Sequence, residues 1–298
     1  MGLTGNNLLS RIFYYTFGQS VKSTTHPPHL QPIFKHRRDW YMKEIIQGDF
    51  DEKFIARVLR YGDESNTYIL KKIKNKASVM SEFLVLSQTP MNNAFLLTPI
   101  EWIYYEDSHY FIYEHEDIDL FSILTEPIYE KFRRKDAMLN YLMQILRAVE
   151  YLHSHLIIHY DLKFENMVFN MKTRKVRLID FECCQGWDAP KQFLGTFQYM
   201  APEIYLLREV KYYEPGMQDI WSIGILFLIS LLHRSPIPSS KPKLTDYLRF
   251  IESIPENTIT SKCLQLHPSD RSDIHELIKL MSEHLSKDSK ITPSCKLF

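Results

Sequence analysis

The chain has 298 residues, 45% hydrophobic and 24% charged, enough apolar content for one large domain or for two lobes with their own cores. Lys plus Arg and Asp plus Glu both total 36, so the formal net charge is zero and no global charge points to a nucleic-acid or membrane partner. Four cysteines (Cys183, Cys184, Cys263, Cys295) show no CxxC spacing, which argues against a zinc cluster or a disulfide framework and fits reduced thiols in an intracellular protein, cytoplasmic or nuclear.

Residues 1–38 read as a flexible extension, because "STTHPPHLQP" is rich in proline and small polar residues and a basic cluster, Lys35, Arg37 and Arg38, follows. "LLSRIFYYTFGQS" carries Arg11 and lacks a small-residue cleavage site, so it does not read as a secretory signal. Asn6 breaks the acylation pattern that would follow Gly2. From Trp40 to about Glu114 the pattern is strand-like. "FIARVLRYGDESNTYILKKIK" predicts a hairpin turning at "YGDESN", and "FLLTPIEWIYYEDSHYFIYEH" predicts another turning at "EDSH". Between them, "SVMSEFLVLSQ" spaces Val79, Phe83 and Leu86 as a helix does.

Helices dominate afterwards. "DAMLNYLMQILRAVEYLHSH" predicts a helix capped by Asp136, with Leu139, Leu142, Leu146 and Val149 along one face. Short strands are expected around "HYDLKFENMVF" and "KVRLIDFE", and further helices in "DIWSIGILFLISLL", "LTDYLRFIESI" and "RSDIHELIKLMSEHLS". The apolar run from Ile220 to Leu232 is too short to span a bilayer comfortably and reads as a buried helix. A sheet-rich lobe before a larger helical lobe is the expected layout.

Four motifs fall in order on this layout: "HYDLKFEN" at 159–166, "DFE" at 180–182, "GTFQYMAPE" at 195–203 and "DIWSIG" at 219–224. Together they resemble the eukaryotic protein kinase superfamily, Ser/Thr branch, over about residues 42–285. The resemblance implies an α+β, bilobal protein-kinase fold: a small antiparallel-sheet lobe with one helix over residues 39–114, a mainly helical lobe over 115–285, and a short tail over 286–298. It also implies ATP and Mg2+ as cofactors and a protein substrate.

Site residues follow from the same resemblance. Phosphoryl transfer asks a protein to position groups and neutralise charge. Asp161 resembles the base that orients the acceptor hydroxyl, and Lys163 stands close enough to reach the migrating phosphoryl oxygens. Asn166 and Asp180 resemble the magnesium ligands, whose oxygens suit a hard cation. Lys71 of "YILKKIK" resembles the phosphate-pairing lysine; Lys72 competes, but the alternation from Ile69 and the apolar Leu70 favour Lys71. Glu82 resembles its acidic partner. Tyr113 aligns with the back of the adenine pocket, Glu114 and Glu116 bracket the hinge, and Val168 aligns with the floor under the base. Asp119 and Glu165 stand where basic-directed members place carboxylates toward substrate arginines, and Asp119 is also placed to accept from ribose hydroxyls. Glu203 and Arg271 resemble a buried structural ion pair, Asp219 the acid that braces the catalytic loop, and Leu86, His159 and Phe181 members of an internal stack.

Several positions depart from the family pattern. "IIQGDFDEKF" keeps only Gly48 of the glycines that cover phosphates, with Phe50 at the loop tip. Ile69 stands where a small alanine is usual, and Glu182 where glycine is usual. Tyr160 replaces the arginine that receives an activation-loop phosphate, and Cys183–Leu194 contains no Ser, Thr or Tyr to carry one. Receiver and acceptor are absent together, which predicts an enzyme active without loop phosphorylation. The alternative is a catalytically silent scaffold on the same fold, favoured by the depleted glycine loop, Ile69 and Glu182. A small-molecule kinase is disfavoured by "GTFQYMAPE" and the helix after it.

Overall fold

Alternating apolar residues set the first half of the chain. In the computed structural model, which describes residues 32–49, 52–91, 93–206, 213–232, 243–256 and 258–288, these alternations form one six-stranded antiparallel sheet. Its strands are β1 Pro32–Phe34, β2 Arg37–Asp49, β3 Lys53–Arg60, β4 Asp63–Ile73, β5 Glu101–Tyr105 and β6 Ser108–Glu114, in the order β1-β2-β3-β4-β6-β5. Phe54, Ala56 and Val58 alternate inward from β3 and meet Trp40, Leu70, Ile103 and Ile112 in a core of their own. Helix α1, Lys76–Gln88, starts where Asn75 Oδ1 accepts from the Ala77 and Ser78 amides at 2.9 and 3.1 Å. Its Phe83 ring packs edge-on against Trp102 and Phe111 of the sheet.

Three local features differ from expectation. Residues 32–38 were expected in a flexible arm, yet Pro32–Phe34 pairs with β2, because Phe34 is buried edge-on against Tyr105 and Tyr110 and anchors the stretch. The remainder of the expected arm, residues 1–31, lies outside the described residues. The first hairpin turns on Tyr61 and Gly62 alone, with Arg60 opposite Asp63. Gly62, at φ +79°, closes the turn in two residues, so "DESN" joins β4. The long helix expected to be capped by Asp136 begins at Lys135, and Asp136 sits inside its first turn, where a carboxylate suits the positive end of the helix dipole.

The second unit is mainly helical: α2 Leu120–Thr125, α3 Lys135–Ser154, α4 Pro202–Tyr205, α5 Met217–Leu232, α6 Leu244–Glu252, α7 Ile259–Cys263 and α8 Ile274–Asp288. Leu139, Leu142, Leu146 and Val149 of α3 are all buried. Helix α5 is apolar nearly all round and buried along most of its length, as a central helix must be. Short strands carry the loops of interest: β7 Ile118–Asp119, β9 Met167–Asn170 and β10 Lys175–Leu178 form one small sheet, and β8 Ile157–Ile158 pairs with β11 Gln185–Gly186.

The described residues therefore fall into two compact units, one drawn from residues up to 92 and 98–115, the other from 93–97 and 116 onward. Residues 93–97 go with the second unit because Leu97 donates to the Leu178 carbonyl at 3.0 Å and Leu178 to that of Phe95 at 2.8 Å, a stitch onto β10. Among the described residues, no helix is long and apolar enough to cross a membrane.

Candidate active site

In the first unit, strand alternation turns Lys71 to one face of β4 and Leu70 to the other, where Leu70 joins the core. Lys71 and Glu82 are both buried, and their charged atoms lie 3.4 Å apart. The other Glu82 oxygen accepts from the Tyr113 hydroxyl at 2.6 Å. Lys72 instead places its ammonium 5.8 Å over the Phe54 ring. Ile69 is register partner to Tyr113 across β4 and β6, so the two share a face. Glu114 is exposed at the end of β6.

In the second unit, the loop after β8 is held by one buried carboxylate. Asp219 of α5 accepts from the His159 and Tyr160 amides, each at 2.9 Å, and lies 3.0 Å from His153 Nε2. That grip fixes the backbone leading into Asp161, whose own amide donates to His159 Nδ1 at 3.2 Å. Asp161 Oδ2 then faces Lys163 Nζ at 2.9 Å and Asn166 Nδ2 at 3.2 Å, and Lys163 also donates to the Thr196 hydroxyl at 2.8 Å. Burial alone would raise the pKa of Asp161, but the Thr196 hydroxyl and the Lys163 ammonium outweigh it and hold the carboxyl below the usual range.

Asn166 spends its amide hydrogens on the Asp161 carbonyl and carboxylate, and its backbone carbonyl accepts from Ile179, the residue before Asp180. Asp180 has φ +63°, an uncommon conformation for a residue with a side chain. The amide oxygen of Asn166 and the carboxylate of Asp180 are hard donors of the kind magnesium takes, so this pair fits that ion. Among the described residues, no group of three or more His, Cys, Asp or Glu forms a metal cluster.

A protein kinase domain model matches residues 59–297. The chain belongs to the protein kinase family. Relatives include a striated muscle preferentially expressed protein kinase of Danio rerio, 28% identical over 77% of this chain and 8% of its own length. Serine/threonine-protein kinase PRR2 of Saccharomyces cerevisiae is 27% identical over 70% of this chain and 29% of its own length. The nitrogen permease reactivator protein of the same yeast is 31% identical over 63% of this chain and 22% of its own. The chain thus spans less than a third of the length of these relatives.

Within this kinase domain the remaining singled-out residues have identifiable partners. Glu203 and Arg271 form a fully buried two-pronged pair at 2.6 and 2.8 Å, and Arg271 also donates to the Met217 and Gln265 carbonyls and lies over the Trp221 ring. The His159 and Phe181 rings meet edge-on at 6.0 Å. Asp119 caps α2 with both oxygens, accepting from the Ser122 amide at 2.8 Å and the Ser122 hydroxyl at 2.9 Å. Glu116 is buried against Arg177 and accepts from Asn170 at 3.1 Å. Val168 pairs in register with Asp119 and Arg177. Glu165 is exposed and accepts from the Tyr199 hydroxyl at 3.5 Å. Gly48, at φ +104°, is opposite Phe54 in the β2–β3 pairing, and Phe50 lies outside the described residues.

Glu182 stands in a turn closed by the Cys184 amide donating to the Phe181 carbonyl at 3.0 Å. Its φ is not positive, since the left-handed residue of the triplet is Asp180, so a β-carbon costs no backbone strain there. Three long-range contacts escaped sequence reasoning. The bonds from Tyr113 to Glu82, from Lys163 to Thr196 and from Tyr160 to Tyr213 join residues 31 to 53 apart, and no local pattern encodes them. The Asp119 cap was readable but missed, because an aspartate directly ahead of an apolar helical run is an N-cap signal.

Proposed function

We propose that this chain is an active serine/threonine protein kinase, transferring the γ-phosphoryl group of ATP to protein hydroxyls without needing a phosphate on its activation loop. One observation carries this reading: Asp161, Lys163 and Asn166 sit on a loop pinned by Asp219, with Lys163 and Asn166 both bonded to the Asp161 carboxylate and Lys163 also to Thr196. Asp161, kept ionised, orients the acceptor hydroxyl and takes its proton as the new phosphorus–oxygen bond forms and the bond to the leaving oxygen breaks. Lys163 supplies positive charge beside that carboxylate for the transferring oxygens. Lys71, held by Glu82, supplies a second fixed cation for phosphate. Magnesium, when bound, neutralises phosphate charge, and Asn166 and Asp180 are the residues that would hold it.

Ser/Thr specificity is supported by Thr196 beside Asp161 and by the printed name of the yeast relative PRR2. Glu165, exposed beside this loop, supports a preference for basic residues near the target; Asp119 gives weaker support, since capping α2 occupies both of its oxygens. The silent-scaffold reading draws on Ile69 beside Tyr113 and on the single loop glycine.

Transfer of labelled phosphate to an arginine-rich and to an acidic peptide, with magnesium, compares the parent with Asp161→Asn. The parent is expected to label the basic peptide preferentially, and the variant to fall by roughly a hundredfold or more. Equal labelling by parent and variant would leave only the scaffold, and equal rates on both peptides would remove the basic preference.

A further inference from the structure

The strained residue of the catalytic loop is Tyr160, at φ +66°, a conformation an aromatic residue adopts only where its surroundings impose it. Its amide is held by Asp219, but its side chain points elsewhere and is 95% buried, with its hydroxyl 2.8 Å from that of Tyr213. The backbone of Gln192 lies near enough to the Tyr160 phenol to oppose, in small part, the rise that burial gives its pKa. Gly195 lies so close that a β-carbon there would stand 2.3 Å from the Tyr160 carbonyl oxygen. Three chain segments therefore meet at one residue: the catalytic loop, the segment following Phe181, which packs against the Tyr160 carbonyl, and the lead-in to α5, which meets its hydroxyl.

Resting on the kinase reading above, we propose that the Tyr160 and Tyr213 hydroxyls form an uncharged brace that holds the catalytic loop and the activation segment in working register, where other family members use an arginine and a phosphate. Tyr160 and Tyr213 are positioning residues: they act on transfer through the backbone that carries Asp161. A phosphate clamp has to be installed by a kinase and is weakened by salt, whereas this one forms when the chain folds. Burial raises the pKa of both phenols, so both stay neutral across the physiological range and the brace does not respond to pH or ionic strength. It supplies a physical reason why an activation segment with no phosphorylatable residue from Cys183 to Leu194 can still be ordered.

The test uses Tyr160→Phe, Tyr213→Phe and the double variant, since phenylalanine keeps the ring packing and removes only the oxygen. Each single variant should lose roughly three- to tenfold in kcat with little change in the KM for ATP, the size expected for one neutral hydrogen bond. The double variant should lose no more than the worse single one, because the two oxygens make one contact. Parent kcat should stay flat on phosphatase treatment, and the variant-to-parent ratio should stay flat between low and high salt. Hydrogen exchange gives a readout independent of turnover: amides around 157–161 and 185–195 should exchange faster in Tyr213→Phe. Unchanged exchange there overturns the brace whatever the transfer assay shows. Altered exchange with parent-like kcat overturns its link to transfer. A parent no more active than Asp161→Asn sinks the kinase reading instead, while the exchange result still decides the brace.

Discussion

At Asp161 two influences oppose each other, and their balance fixes the state of the carboxyl. Burial favours the protonated form; the Thr196 hydroxyl and the Lys163 ammonium favour the charged one and prevail. The sign follows directly: a depressed pKa contributes stability above the ordinary value of 3.8, and that contribution is lost as pH falls through the lower folded value. The acid limb of kcat/KM due to this group should therefore lie below 3.8. In Lys163→Met one opposing charge goes and burial gains, so the carboxyl should titrate at higher pH. Carbon NMR of the Asp161 carboxyl in both proteins reads this apart from turnover, and an unmoved titration would show that Lys163 does not hold the charge. Lys71 and Glu82 were legible as candidates through the resemblance of "YILKKIK" and the helical stretch after it to the kinase pattern, with strand alternation, a local property, choosing Lys71 over Lys72. The Tyr113 hydroxyl that completes their cluster was not, since nothing in sequence states where a phenol 31 residues away will point.

Elements were legible where periodicity was strong and less so where a single residue decides. The alternation of β3 and the apolar stripe of α3 could be read directly, whereas the end of the first hairpin could not, because Gly62 alone sets the turn length. Gly48 shows the same economy of cause. Only one glycine of the usual loop survives, and the strand pairing itself demands it: a β-carbon at Gly48 would stand 2.2 Å from the Lys53 carbonyl oxygen and 2.8 Å from the Phe54 Cα. Those are backbone atoms, so relief requires moving β3. Gly48→Ala should accordingly destabilise the chain by about 1–3 kcal/mol through left-handed strain and this clash. Differential scanning calorimetry should show a lowered midpoint even without nucleotide. A parent-like midpoint with weakened ATP binding would instead assign the glycine to phosphate contact rather than to the hairpin.

At the scale of the whole molecule, each unit carries its own core, and the second is closed by a charge pair with no access to water. Glu203 and Arg271 are 68 residues apart, yet Arg271 also reaches the Met217 and Gln265 carbonyls and the Trp221 ring, so α4, α5 and the stretch after α7 all depend on one guanidinium. Burying two charges is costly, and the pair persists because each partner satisfies the other and the remaining guanidinium hydrogens find carbonyls. Removing one side leaves the other buried and uncompensated. Glu203→Ala should therefore cost about 3–5 kcal/mol, a fall of roughly 10 °C or more in the midpoint for a unit of this size. Arg271→Met, which removes the other charge at similar length, should be comparably harmful, whereas Glu203→Ala/Arg271→Met should recover part of the loss because no bare charge remains. Thermal unfolding of the three variants measures this coupling. Strict additivity in the double variant would mean that the carbonyl contacts of Arg271, rather than its charge partner, hold these segments together.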